Sequence, residues 1–141
     1  LGVIEHFYDG YEPIIKEVHR VLRKGGILFL TFPAMNATRR HKAADGRYQR
    51  WEETPERLSR FYQFALSPQS VIEACASEGL ELIGSRGIGS LKGVEDEYGQ
   101  SNLVRMIKKA PFGGAAKISI ASDYLVGDRY AHSRLLILKK R

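Results

Sequence analysis

The sequence predicts an α/β fold in which short strands alternate with amphipathic helices. Two observations support this class. The hydrophobic residues, 43% of the 141, come in short blocks that are bounded by glycine or proline. Between these blocks, apolar residues recur at the helical period. The resulting order is strand, helix, strand, polar segment, two helices, strand and a late strand, which is typical of an open and largely parallel sheet.

The first three elements are the clearest. Residues 1–7 have the pattern of a short buried strand and its exit. Residues 12–24 form an amphipathic helical pattern with Pro13 in the first turn, Gly25-Gly26 at the end, and an apolar face formed by Ile14, Ile15, Val18, Val21 and Leu22. Residues 27–32 are apolar on both faces, which predicts a central parallel strand that Pro33 ends.

The second half has weaker signals. Residues 34–53 are polar, basic and weakly patterned, so we expect an ordered insertion or a mobile lid. Thr54 and Ser67, each followed by proline, predict two helix starts, and the second helix turns Val71, Ile72, Cys75 and Ala76 inward. Strands are predicted at residues 80–85 and 135–138, and a helix at residues 99–109.

Composition excludes several classes of protein. No apolar run approaches the ~18 residues of a membrane span, and the acidic first residues do not resemble a signal peptide. The chain has no initiator methionine, so we expect it to begin inside a domain. Its one cysteine, Cys75, cannot form an internal disulfide and fits a reducing, cytoplasmic compartment. Its helical surroundings favour an inert core thiol over a nucleophile.

The net charge of +6 favours anionic partners. Much of the excess lies in the run of residues 39–42 with Arg47 and Arg50, and in the basic C-terminus. A solvated loop and tail explain these charges more simply. The aromatic residues nearby can either stack on nucleic-acid bases or pack a lid over an apolar acceptor, and we favour the lid. These residues are Tyr48, Trp51, Phe61, Tyr62 and Phe64.

Four segments together resemble a known family. LGVIEHF at residues 1–7 and EVHRVLRKGGILFLTFP at residues 17–33 are similar to the fourth strand, next helix and fifth strand of class I S-adenosylmethionine-dependent methyltransferases, especially the small-molecule branch. FYQFALSP at residues 61–68 and EGLE at residues 78–81 resemble the segment around that family's late helix and sixth strand. The resemblance implies a partial Rossmann-like sheet containing the fourth to seventh strands, with the N-terminal half of the domain absent. Residues 1–141 would then be the C-terminal part of one domain, with insertions at about residues 34–64 and 87–130.

The resemblance also implies a site. S-adenosylmethionine is the expected cofactor, with Leu1, Gly2 and Val3 beside it. Glu5 and His6 would lie between the cofactor and acceptor pockets, where ligands bind beyond strand ends in open α/β sheets. His6 can serve as a general base for an acceptor hydroxyl, although a purely structural role, capping the strand end, is the favoured alternative. Some similar enzymes carry a glutamate where Gly2 stands here, so we expect Glu5, His6 and Asp9 not to bind a metal.

Residues 87–93 are rich in glycine but do not match a phosphate-binding motif. A Walker loop requires Gly-Lys-Ser/Thr in succession, and here Lys92 precedes Gly93. An acidic stretch follows at residues 95–97. We therefore predict a turn that leaves the sixth strand of the family.

The expected function is methyl transfer to a small-molecule or lipid-like acceptor. The alternatives are a nucleic-acid methyltransferase, which the basic segment favours, and an inactive remnant or binding module. Because the resemblance places the adenine and ribose contacts before Leu1, we expect the chain alone to bind S-adenosylmethionine weakly. We also expect residues 34–53 to be the most mobile internal segment, and the chain to self-associate through a sheet edge formed by residues 1–4.

Overall fold

The computed structural model describes residues 2–48, 52–99, 101–111 and 113–141. These residues form an α/β structure with one sheet. In chain order the elements are a 3₁₀ turn Ile4–His6, α1 Glu12–Val21, β1 Ile27–Pro33, α2 Ala37–Ala44, α3 Pro55–Ser59, α4 Pro68–Ser77, β2 Leu80–Ile88, α5 Ser90–Tyr98, α6 Asn102–Lys108, α7 Gly114–Tyr130 and β3 Ser133–Lys140.

The sheet has the strand order β1-β3-β2, and β3 runs antiparallel to both neighbours. β1 and β2 are therefore parallel to each other and are separated by the last strand of the chain. The expectation that residues 27–32 form a central parallel strand is wrong in its pairing, because β1 bonds to β3 in the antiparallel sense. One face of β1 is also more exposed than predicted, since the Phe29 side chain is 59% exposed.

The predicted strand at residues 1–4 is wrong for the part of it that is described. Gly2 has a φ of 66° and Ile4–His6 form a 3₁₀ turn, so the chain leaves the extended conformation at once. One sheet-like bond remains, from the Gly2 N–H to the Thr31 carbonyl at 3.3 Å. Leu1 lies outside the described residues. The sheet edge that was expected at residues 1–4 is instead the outer edge of β1.

The core lies between the sheet and the helices α1 and α4. Leu136 and Leu138 of β3 are fully buried with Val71 and Cys75 of α4. The prediction that Cys75 is a core thiol is confirmed: burial raises its pKa to about 11, so the reactive thiolate is disfavoured at neutral pH.

The three helix starts marked by proline were predicted correctly, whereas α2, α5 and α7 were not predicted as helices. The predicted helix faces agree only in part. Pro13 lies in the first turn of α1, and the Thr54 and Ser67 side chains cap α3 and α4. However, α1 ends at Val21, which is 63% exposed and does not belong to the core-facing surface as predicted. Ala76 is likewise exposed on α4.

Three helices, α5, α6 and α7, fill the chain between β2 and β3. The predicted loop at residues 87–93 is wrong in its structure, because Gly87 belongs to β2 and Gly93 to α5. A Cβ atom on Gly93 would lie 1.7 Å from the Tyr130 carbonyl oxygen, so glycine allows α5 to pack directly on the end of α7. The Asp123 carboxylate accepts bonds from the Gly89 and Ser90 N–H groups at 3.0 and 2.7 Å and so caps α5.

Candidate active site

The candidate site lies near the end of β1, where residues 2–6 run beside the strand. Gly2 bonds to Thr31 of β1, and the Glu5 carbonyl accepts a hydrogen bond from the Phe64 N–H at 2.9 Å. The segment that contains Phe64 is also bonded to the end of β1, because the Leu66 N–H donates to the Pro33 carbonyl at 2.8 Å. Gly2 and Glu5 are thus held between the end of β1 and residues 61–66.

Glu5 is a buried carboxylate, and one of its oxygens accepts no hydrogen bond from the described residues. It is 3% exposed, and its Oε2 atom has no hydrogen-bond partner among the described residues. A Cβ atom on Gly2 would lie 3.3 Å from Oε1 of the same carboxylate, so a larger residue would crowd it. A buried charged oxygen without a partner is costly, which makes this atom a candidate for contact with a ligand.

His6 lies beside Glu5 and has a defined orientation. Its Nδ1 atom is 2.6 Å from the Tyr62 carbonyl oxygen, and its ring packs edge-to-face on the Tyr62 ring at 4.9 Å. Because a carbonyl can only accept, Nδ1 must carry the proton, and the lone pair of the neutral ring is then on Nε2. Nε2 lies 3.9 Å from Glu5 Oε1, and the His6 side chain is 35% exposed.

The remaining predicted site residues are less constrained. Val3 is 47% exposed, and Leu1 lies outside the described residues. Within residues 2–48, 52–99, 101–111 and 113–141, no group of three acidic, histidine or cysteine side chains could hold a metal ion. Glu5 and His6 are close to each other, but Asp9 does not join them in such a group.

An aromatic cluster lies next to this segment. The Tyr8 ring packs on Phe61 at 5.2 Å and on Phe64 at 5.7 Å, and Phe61 contacts Phe64 at 4.5 Å. Tyr8 also donates a hydrogen bond to Glu53. Phe61, Tyr62 and Phe64 of the predicted lid therefore lie beside His6. Tyr48 instead bonds to Glu97, and Trp51 lies outside the described residues.

The basic segment contains an ion-pair network that sequence reasoning missed. Arg39 of α2 is 9% exposed and bonds through Nε to Glu97 at 2.8 Å, and Lys42 lies 3.2 Å from the same carboxylate. Tyr48 donates to Glu97 at 2.5 Å. The positive run at residues 39–42 looked like a solvated surface because its acidic partner is more than 50 residues away in the sequence.

Electrostatics in this network follow from burial and pairing. Burial alone raises the pKa of Glu97, but hydrogen bonds from Tyr48, Arg39 and Lys42 outweigh it and bring the pKa below the ordinary glutamate value. Burial, together with the bond to Glu97, raises the pKa of Tyr48 to about 12. The network therefore holds α2 against α5 with Glu97 ionised at neutral pH.

Comparison with known proteins concerns the fold. No protein-family model and no curated protein matches the chain. The structure of the cyclase SpnF is similar at 18% identity and a TM-score of 0.47, covering 99% of this chain and 47% of that one. Haemonchus contortus phospholethanolamine N-methyltransferase 2, solved with phosphomonomethylethanolamine and S-adenosylhomocysteine, is similar at 13% identity and a TM-score of 0.50.

The chain covers 32% of the length of that methyltransferase, while 99% of the chain is aligned. The similarity shows that the chain has the fold of part of a class I methyltransferase, as the sequence predicted. No helix in the part of the chain described here is long and apolar enough to cross a membrane.

Proposed function

We propose that this chain forms the acceptor side of an active site that transfers a methyl group from S-adenosylmethionine to a small-molecule or lipid-like acceptor. The fold supports the class of reaction, since a similar structure is a methyltransferase that holds S-adenosylhomocysteine. The observation that carries the proposal is the Glu5 carboxylate, which is buried beside Gly2 with one oxygen that has no hydrogen-bond partner in the described part of the chain.

The residues around Glu5 fit such a cofactor. Oε2 can accept a hydrogen bond from an ammonium or hydroxyl group of a ligand. Gly2 leaves the space beside the carboxylate open, and Val3 offers a half-exposed apolar surface. Gly2, Val3 and Glu5 are therefore the residues that would hold the cofactor, with Leu1 added by the family resemblance. When bound, S-adenosylmethionine supplies a methyl group made electrophilic by its sulfonium sulfur.

His6 is the proposed general base for a hydroxyl acceptor. Its Nδ1 proton is fixed by the Tyr62 carbonyl, so Nε2 can accept the proton that the acceptor hydroxyl loses as its oxygen bonds to the methyl carbon. The Glu5 carboxylate, 3.9 Å from Nε2, stabilises the imidazolium that results. Glu5 therefore has two proposed roles: it accepts a hydrogen bond from the cofactor and stabilises the His6 imidazolium.

The aromatic cluster supports a small or lipid-like acceptor. Tyr8, Phe61 and Phe64 pack as one apolar group next to the His6–Tyr62 pair. Apolar walls exclude water from a methyl-transfer site, where alignment and desolvation supply most of the rate. This cluster, with residues 52–64, is the proposed lid over the acceptor.

The test is cofactor binding in the longest native form of the protein that carries residues 1–141. Glu5→Gln should weaken S-adenosylmethionine binding about tenfold or more, because a hydrogen bond to a charged group contributes about 1.5–3 kcal/mol. Glu81→Gln is the matched control, since Glu81 has a 50% exposed side chain on β2. Equal affinity in the Glu5→Gln and Glu81→Gln proteins would contradict the proposal.

A further inference from the structure

A second site is suggested by a cleft of about 410 Å³ that lies between α2 and the ends of α5 and α7. Basic side chains dominate it, and none of the described residues that line it is acidic. Those that matter here are Arg40, His41, Lys42, Arg47, Tyr98 and Arg129.

The positive charges of the cleft are only partly compensated. Lys42 is paired with the buried Glu97. Arg47 and His41 share one carboxylate, Asp45, at 3.5 and 3.6 Å.

Arg40 and Arg129 are both exposed, and neither pairs with a carboxylate among the described residues. The Arg40 guanidinium donates from Nη1 to the Met35 carbonyl at 3.3 Å, and the Arg129 guanidinium lies 5.5 Å from the centre of the Tyr130 ring. The cleft is therefore lined by two arginines whose charges are not offset by a described carboxylate.

The walls of the cleft are held in place before any ligand arrives. The Thr38 hydroxyl donates to the Arg129 carbonyl at 3.0 Å and joins α2 to α7. Lys42 donates to the Glu97 carbonyl and joins α2 to α5, while Arg39 anchors α2 from its buried side. A prearranged site loses less entropy on binding than a mobile one.

We propose that this cleft binds the phosphate group of a small phosphomonoester, with Arg40 and Arg129 as its main ligands. Guanidinium groups match phosphate oxygens in planar, paired hydrogen bonds, and a dianion offsets several positive charges at once. The cleft volume falls in the range of small-molecule pockets, which favours a compact ligand over a polymer. The inference does not rest on the proposed methyl transfer, because binding is measured without a methyl donor.

The experiment is a calorimetric titration of the full chain at constant ionic strength, with inorganic phosphate, glycerol phosphate and a short single-stranded oligonucleotide as probes. We expect glycerol phosphate to bind at least as tightly as inorganic phosphate. Arg40→Gln and Arg129→Gln should each weaken both about tenfold, the effect of losing about 1.4 kcal/mol. Arg40→Lys should lose part of the affinity for phosphate, because lysine keeps the charge but lacks the paired N–H donors of the guanidinium group.

The matched control is Arg105→Gln, which removes the same charge from an exposed position on α6. It should leave phosphate binding unchanged. An equal loss in the Arg105→Gln protein would mean general charge attraction and would overturn the site. Tighter binding of the oligonucleotide than of glycerol phosphate, lost in the Arg40 and Arg129 variants, would identify a nucleic-acid surface and overturn the small-ligand assignment. The Arg40→Gln and Arg129→Gln proteins test the site independently, so if one of them misfolds the other still provides the test.

Discussion

The His6 imidazole donates its Nδ1 proton to the Tyr62 carbonyl oxygen, 2.6 Å away, while Tyr62 covers the ring edge-to-face. The two residues are 56 positions apart, and the contact joins the turn after Gly2 to the segment that carries the aromatic cluster. It fixes both the tautomer and the direction of His6, which is what a general base requires.

For methyl transfer to a hydroxyl acceptor, His6→Gln should lower kcat about 10²–10⁴-fold, the usual contribution of a general base. The affinity for S-adenosylmethionine should be unchanged. If His6 had a purely structural role, the substitution would alter binding and stability together. If His6 is the base, its loss also removes the acidic limb of the pH profile of kcat. His41→Gln, at a 79% exposed side chain, is the control. An unchanged pH profile in the His6→Gln enzyme would rule out its role as a base.

Glu5→Gln should stabilise the ligand-free protein by about 1–2 kcal/mol while it weakens cofactor binding. The reason is that the native carboxylate is buried with one oxygen that no described residue bonds, a cost that a neutral amide reduces. Chemical denaturation without ligand measures the change. A lower free energy of unfolding in this variant would show that Glu5 is a stabilising structural residue and not one held for a ligand.

Glu97→Gln should destabilise the protein by about 3 kcal/mol, as expected for removing one partner of a buried ion pair. The folded-state pKa of Glu97 is lowered, so its stabilisation is present above the unfolded pKa of a glutamate, about 4.3, and is lost as pH falls through the folded value. Urea unfolding between neutral pH and pH values below about 4 should therefore show a shallower acid dependence in the variant. An identical slope in both proteins would contradict the network.

Gly93→Ala should destabilise the protein by about 1–3 kcal/mol through overpacking. This is the opposite of the usual effect, because alanine is ordinarily more stable than glycine in a helix interior. The added Cβ would meet the Tyr130 carbonyl oxygen at 1.7 Å, and backbone must move to admit it. Gly127→Ala on α7 is the matched control, because its nearest contacts lie at 3.5–3.7 Å. Thermal unfolding compares the two; equal melting temperatures would argue against the close approach of α5 and α7.

The outer edge of β1 should mediate self-association. Within the described chain, the backbone bonds on this edge are those from Gly2 to Thr31 and from Leu66 to Pro33, both near the end of the strand. Ile27 and Phe29 stand at its open half, 43% and 59% exposed. Phe29→Lys should shift sedimentation toward monomer, because a charge on an edge strand opposes pairing.

Ile120→Lys, at a 54% exposed position on α7, is the control for this edge. It should leave the association unchanged. A wild-type protein that is monomeric at all concentrations would show that the edge does not pair.

The sequence by itself determined the elements whose signals are local. The apolar run that forms β1, the proline-started α1 and α4, and the burial of Cys75 follow from periodicity and capping, which act over a few residues. The pair Glu5-His6 was found through family resemblance, and the structure brings the two side chains within 3.9 Å.

Tertiary structure decided what depends on partners distant in the sequence. β1 is antiparallel to β3 because the last strand of the chain, a hundred residues later, pairs beside it. Arg39 is buried because Glu97 neutralises it, and a run of basic residues gives no sign of that partner. α7 packs through glycines and the carboxylate of Asp123, and its sequence has no apolar stripe that would predict a helix there. Local sequence thus set which segments become helices and strands, whereas the ion pairs, close backbone contacts and strand pairing were set by long-range packing.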